Sequence, residues 1–304
     1  MYFVRRLAML VPLLLVILAV SFLLVRLVPG GPFDRERQPA SPEIERQIAA
    51  KYHLDEPAWK QFLRFLAGLA RGDFGPSLKY RNHTVTDIIA QALPVSMVLG
   101  ALGFSFAMGV GLPLGYLTAV RHRDWVDYAG SFGAILMVCI PGFVIAPLLI
   151  MFFAIKWRLL PVALWGSPWH AVLPMTALGL FYAGRIARLM REGMLNTMQS
   201  EFVTAARAKG LGENTLLLKH AFRLAVLPVV SYSGPLLADL LTGSFVVETL
   251  FQIPGMGVFF VNGLANRDYT LWIGLVTVYA VLLILLNLVV DLAYTLLDPR
   301  VRYE

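Results

Sequence analysis

The sequence predicts an all-α membrane protein of six transmembrane helices, with a helical outer loop and a short basic helix on the cytoplasmic side. Three observations predict it. Of 304 residues, 58% are hydrophobic and only 15% charged, with a mean hydropathy of +0.69; soluble domains carry about 25% charge. Uncharged stretches run over 88–120 and 128–155, and a helix needs about 20 apolar residues to cross the hydrocarbon core. Basic residues also gather on one set of loops.

The first span is read at 7–28, broken only by Arg26, whose long side chain can reach the interface. Arg5-Arg6, the apolar run and Ala19-Val20-Ser21 loosely fit a cleaved signal, but the run continues to Leu27, too long for one. The second and third spans are the two uncharged stretches. The fourth, 169–190, carries Arg185 and Arg188 in its last turns; the fifth, 224–247, contains Asp239; the sixth is 271–290. Arg5, Arg6, Arg121, Arg123, Arg191, Arg223, Arg300 and Arg302, among others, fall on the side shared by both termini. The short opposite loops hold only Lys156, Arg158 and Arg267. That bias places both termini in the cytoplasm. The net charge of +7 is therefore mostly topology. No face combines basic residues with stacking aromatics, so nucleic acid is not a predicted partner.

The organisation expected is a cytoplasmic N-terminus with the first helix (1–28), an outer helical insertion (29–87) and a five-helix core (88–304) with a cytoplasmic loop at 191–223. In the insertion, Ser41-Pro42-Glu43 reads as a helix start, with Ile44, Ile48 and Tyr52 on one face. Asp55-Glu56-Pro57 starts a second helix with Trp59, Phe62, Phe65, Leu66 and Leu69 as its apolar residues and Gly72 as its stop. Such helices form either a lip that meets a partner or the bilayer, or a structural cap; both readings stand. Proline punctuates the spans at Pro113, Pro141, Pro147, Pro174, Pro228 and Pro235. Gly111 and Gly115 have the small-xxx-small spacing that lets helices approach closely.

Catalytic chemistry is not legible. No histidine lies in an H-E-x-x-H pattern, no phosphate loop is present, and Gly109, Gly111 and Gly115 lie inside an apolar span rather than between strand and helix. The single cysteine, Cys139, excludes an intrachain disulfide and a cysteine metal cluster. Ser105 reads as a packing residue. If ATP drives this protein, another subunit holds the nucleotide.

The loop 191–223 carries the functional argument. Phe202, Ala205, Ala206 and Lys209 fall at helical spacing, the alanines have almost no bulk, and Gly210 can end the helix in the left-handed conformation. Small side chains let a helix sink into a partner's groove, while Arg207 and Lys209 can pair with carboxylates at its rim. A solvated basic loop is the plainer alternative.

Thr204-Ala205-Ala206-Arg207-Ala208-Lys209-Gly210, followed by Leu211, resembles the Glu-Ala-Ala-xxx-Gly loop of ABC importer permeases, most closely the peptide and nickel branch. Thr204 replaces the usual glutamate, and His220-Ala221-Phe222-Arg223 stands where Ile-x-Leu-Pro is usual. The run from Gly243 through Glu248 to Pro254-Gly255-Met256-Gly257 resembles the outer end of the fifth span in that branch, and Asp298-Pro299-Arg300-Val301-Arg302-Tyr303 its C-terminal signature. Arg26-Leu27-Val28-Pro29-Gly30-Gly31-Pro32, with Gly72-Asp73-Phe74-Gly75-Pro76-Ser77, looks like the B-type permease of oligopeptide importers.

The resemblance implies a bacterial inner-membrane permease surrounded by membrane lipid, with no cofactor of its own. Its implied partners are a homologous second permease, two ATPase subunits that bind ATP and Mg, a periplasmic or lipid-anchored binding protein, and a peptide substrate. Coupling to the ATPase is then assigned to Thr204, Ala205, Ala206, Arg207, Lys209, Gly210 and Leu211. Asp239, an ionisable group at membrane depth, is a candidate for the transport path or for contact with the second permease. Glu248, Pro254, Gly255 and Gly257 are candidates for an outer gate, a binding-protein contact or a structural turn. Asp291 is expected to pair with a local arginine. Dipeptides, nickel complexes and glutathione are alternative cargoes within the family. A gradient-driven secondary transporter using Asp239 is the alternative outside it, and a membrane hydrolase is weaker still for want of a nucleophile and base.

Overall fold

The computed structural model describes residues 2–27, 55–80 and 82–297, with side chains from 11 to 289. The helix expected at 41–52, the Pro29–Pro32 stretch and the C-terminal signature lie outside the described residues, as does the side chain of Asp291. In chain order the helices are α1 (Tyr2–Leu27), α2 (Ala58–Leu69), α3 (Val85–Val120), α4 (Trp125–Cys139), α5 (Gly142–Leu149), α6 (Pro168–Met198), α7 (Glu201–Ala208), α8 (Glu213–Thr215), α9 (Phe222–Ala225), α10 (Leu227–Leu241), α11 (Phe245–Leu250), α12 (Met256–Ala265) and α13 (Tyr269–Leu297). Two π-helical segments, Ile150–Lys156 and Leu216–Ala221, extend α5 and join α8 to α9. The lone β-bridge among the described residues, Pro76 with Thr84, leaves the architecture all-α.

Val85–Val120, Leu227–Leu250 and Tyr269–Val289 are each long and apolar enough to cross a membrane. The third expected span is not one rod. Its two halves, Trp125–Cys139 and Gly142–Lys156, meet at 102°. Ile140 takes an extended conformation (φ −85°, ψ 117°) ahead of Pro141, because a residue before proline is disfavoured in the α region. Pro141 then opens α5, whereas Pro113, Pro174 and Pro235 stay inside helices and Pro228 lies in the first turn of α10. Helix α6 covers the fourth expected span, but its arginines keep it out of the strongly apolar set; the apolar part of α1, Val11–Leu27, is shorter. The six-span count therefore rests on adding these two and treating the bent pair as one crossing.

The chain divides into two compact units: Met1–Pro94 with Gly255–Val281, and Val95–Pro254 with Leu282–Glu304. The first has a core of Val85, Ile88, Ile89 and Ala92 against Met256, Leu271 and Leu275. Its polar joint is the buried Asp268 carboxylate. It accepts from the Ser77 hydroxyl, the Leu78 and Lys79 amides (3.1 and 3.2 Å), the Thr270 hydroxyl (3.1 Å) and the Leu271 amide (3.2 Å). One acid thus caps the start of α13 and pins the 76–80 loop. Helix α2 begins at Ala58, as the Asp55-Glu56-Pro57 signal predicts, and has no buried residue.

In the second unit α6 is the central strut. Gly111 and Gly115 of α3 allow close approach to it: a Cβ on Gly111 would lie 2.7 Å from the Ala183 carbonyl oxygen, and one on Gly115 would strike Ala187. On an adjacent face of α6, Gly184 lies against the backbone of Ala134 on α4. Small residues thus trade side-chain bulk for backbone proximity, the packing economy of helices in lipid. Buried Ile186, Met190 and Met194 fill the remaining space along α6.

Candidate functional site

Helix α7 is short, and its C-terminal end is closed by main-chain hydrogen bonds. Ser200 precedes it in an extended conformation, Glu201 occupies the first turn and Arg207 the last, so both charges suit the helix dipole. At the far end the Leu211 amide donates to the Ala206 carbonyl (3.2 Å) and the Gly210 amide to that of Arg207 (2.9 Å). Gly210 sits at φ +79°. This is a Schellman closure, and its left-handed residue is the reason glycine is needed there.

Val203 is fully buried and anchors α7; Ala206, three residues on, is half-buried on the same side. The outward face is Phe202, Thr204, Ala205 and Lys209. Ala206, expected on the docking face, is thus turned partly toward the loop's own packing. Arg207 is held within the loop: its guanidinium grips Glu213 at 2.5 and 3.1 Å, across the Gly210 turn. Lys209 is exposed and so is Leu211.

The Arg207 pairing holds the Glu213 carboxyl below its ordinary range and raises the Arg207 guanidinium. A depressed carboxylate pKa contributes order above its unfolded value and loses it as pH falls through the folded one. Proteolysis of the 200–215 turn at neutral pH is therefore expected to accelerate in Glu213→Gln, and in the parent only below the usual carboxylate range. Equal cleavage of parent and variant at neutral pH would remove the pair from the account.

Above the loop, Asp127 and Arg191 form a clamp. Arg191 Nε donates to Asp127 Oδ1 (2.7 Å) and Nη2 to Oδ2 (2.8 Å). The Arg123 amide (3.0 Å) and Ser131 hydroxyl (3.1 Å) also donate to this carboxylate, and the His122 ring lies 3.1 Å away. Asp127 is 3% exposed. The clamp ties the start of α4 to the end of α6, the helix that feeds α7. Where α6 ends, Gly193 lets the Ala225 backbone close in, which fixes the loop's return strand of helices against α6.

At the depth of Asp239 the structure brings together a polar strip. The Tyr182 hydroxyl donates to the Asp239 carboxylate, and Arg185 Nη1 donates to the Tyr232 hydroxyl at 3.2 Å. The Arg185 guanidinium also lies 5.4 Å from the Phe181 ring centre and 5.8 Å from that of Tyr232. Asp239 and Arg185 are both exposed in the single chain, and each is held by a phenol rather than by the other. Beside Tyr182 opens a cavity of about 220 Å³, lined by Phe143, Leu178, Phe181 and Val246.

Of the readings open for Glu248, its placement within the single chain is that of a structural turn. It is fully buried, with Ser96 donating to its Oε1 at 2.8 Å and the Ile253 amide to its carbonyl at 2.8 Å. Pro254 is exposed; Gly255 and Gly257 are buried at the start of α12, in the other compact unit. The clamp, the two tyrosines and Ser96 were not singled out from sequence, where Arg185 and Arg191 read only as flanking charge.

Residues 111–303 match the family model described as the inner membrane component of binding-protein-dependent transport systems. The chain belongs to this family. It is accordingly a multi-pass inner-membrane component, and a non-catalytic one. The oligopeptide transport system permease protein OppB of Haemophilus influenzae is 44% identical over 301 residues, 98% of each chain. The protein of the same name in Escherichia coli K12 is 43% identical over 304 residues, 99% of each. The dipeptide transport system permease protein DppB of Bacillus subtilis is 40% identical over 99% of this chain and 97% of its own. Among solved structures, an inward-facing MetNI methionine ABC transporter aligns with a TM-score of 0.56 at 17% identity, over 69% of this chain and 96% of that one. An amino acid ABC transporter solved with histidines aligns at 0.54 and 15%, over 68% and 93%. At those identities the likeness is one of fold.

Proposed function

We propose that this chain is the B-type permease half of an ATP-driven oligopeptide importer, with α7 seated in a cleft of an ATPase subunit. The observation that carries the coupling reading is the outward face of α7, where Ala205 and Lys209 stand exposed beside Phe202 and Thr204, closed by Gly210 and anchored from behind by Val203. ATP shifts such a machine only by binding one state of the ATPase pair more tightly, and a rigid docked helix passes that preference to α6 and the clamp. The second permease, the two ATPases with their ATP and Mg, the outer binding protein and a cytoplasmic location of both termini all follow from this reading. The full-length relatives named for oligopeptide transport support the cargo; a dipeptide cargo is the second reading, favoured by the 40% identical relative named for dipeptides.

Purification of the tagged chain in mild detergent, with mass spectrometry of what accompanies it, tests the assembly. A second permease and ATPases bearing phosphate loops are expected. Gradient-driven uptake by the chain alone in liposomes would overturn the reading in favour of a secondary transporter.

The polar strip supports a path lined by separated charges. Asp239 is assigned to the amino terminus of a passing peptide, Arg185 to its carboxylate end or backbone carbonyls, and the apolar cavity beside Tyr182 to a side chain. Asp239→Asn is expected to slow uptake of peptides with a free amino terminus by about tenfold, the scale of one charge-assisted hydrogen bond, while N-acetylated peptides change little. Equal slowing of both would assign Asp239 to the permease pair instead.

A further inference from the structure

We propose that the cavity bounded by α1, α2 and the 71–78 loop holds the headgroup of an anionic phospholipid. The cavity measures about 390 Å³, within the range of small-molecule sites, about 300–1,000 Å³. Its lining combines three guanidiniums, Arg26, Arg64 and Arg71, with Phe22, Phe74 and Ile273. Asp73 also lines it, accepting from the Gly75 amide at 2.8 Å, so the lining sets three guanidiniums against one carboxylate. Arg64 is engaged by Glu56 at 2.9 Å. Arg26 instead donates to the neutral Gln61 amide and lies 3.9 Å from the Phe22 ring centre, and Arg71 is exposed. A phosphate is the ligand that two guanidiniums at the edge of an apolar wall recognise.

Two observations favour headgroup depth for the cavity. Arg26 lies in the last turn of α1, at the end of the apolar run Val11–Leu27, where a basic residue reaches for the interface. Helix α2 buries none of its residues within the protein yet exposes Trp59 at 66% and Leu63 at 55%. An amphipathic helix with an outward tryptophan lies in the membrane interface. Phe62 of α2 packs on Phe22 of α1 at 5.1 Å between ring centres, so the interfacial helix is braced against the end of the span. The apolar part of the lining favours a lipid over free phosphate, since it offers a wall to the glycerol and first methylenes that an inorganic ion would leave uncovered. This site is independent of the transport reading.

The test is native mass spectrometry of the full complex, stripped of lipid in detergent and then offered equal phosphatidylglycerol and phosphatidylcholine. Retention of phosphatidylglycerol is expected, lowered about tenfold or more in Arg26→Gln/Arg71→Gln, since basic groups near a headgroup supply its electrostatic attraction. Arg71→Gln alone, at an exposed loop position, is expected to give a smaller loss and guards against misfolding of the double variant. Equal retention of the two lipids, or no change in either variant, would overturn the proposal. So would displacement of the lipid by millimolar inorganic phosphate, which would assign the site to a free anion.

Discussion

Ala205→Trp is expected to cut ATP-driven uptake about 10–100-fold while the protein stays in the membrane at parental levels. Ala205 lies on the outward face of α7, so an indole there projects into whatever α7 docks against and not into the chain's own packing. Overfilling a packed contact costs about 1–3 kcal/mol, which is that range in affinity. Ala206 is the poorer probe, because it is half-buried beside Val203 and a bulky residue would strain the loop itself. Gly210→Val attacks the same helix by another route. Nothing lies within 4 Å of a Cβ built at Gly210, so space is not the obstacle; the φ of +79° is. A β-branched residue resists that conformation by about 1–2 kcal/mol or more, and relaxing it opens both hydrogen bonds of the closure. Gly210→Ala should lose less. The readouts are peptide uptake and ATPase stimulation in the reconstituted complex, beside crosslinking of the ATPase to α7. Normal uptake by stably inserted Ala205→Trp would sink the docking assignment.

How much of this was legible in the chain depends on how local each feature is. Helix α7 and its stop are read from one window of about ten residues, since alanines, terminal charges and a glycine act within one or two turns. The start of α2 at Pro57 and the close packing at Gly111 and Gly115 are legible for the same reason. The bend at Pro141 was visible as a proline but not as a bend, because hydropathy counts apolar residues and is blind to backbone direction. Pro113, Pro174 and Pro235, chemically the same, leave their helices unbroken. Long-range pairing was not legible at all. Tyr182 and Asp239 are 57 residues apart, Asp127 and Arg191 are 64. A lone charge in a sequence says that it needs a partner and does not say which. Glu248 shows the converse: an acid near the end of a span suggests a surface, and only packing around Ser96 reveals a fully buried one.

Arg191→Met is expected to be strongly destabilising in the second unit. It would strand the Asp127 carboxylate, 3% exposed, with one main-chain amide, a serine hydroxyl and a half-exposed histidine. Breaking a buried pair from one side costs about 3–5 kcal/mol, because the remaining charge keeps its desolvation penalty without its partner. Arg191→Lys should recover little, as an ammonium cannot make the two parallel bonds at 2.7 and 2.8 Å that the guanidinium fork makes. The discriminating variant is Asp127→Leu/Arg191→Met. If the clamp mainly stabilises, replacing both partners by apolar groups restores much of the loss. If it also relays motion, the double variant melts like the parent but hydrolyses ATP without matching peptide uptake, since α4 and the end of α6 are no longer fixed in register above α7. Thermal unfolding in nanodiscs and the ratio of peptide moved to ATP consumed separate these outcomes, and an unchanged melting point in Arg191→Met would show that the ion pair holds nothing together.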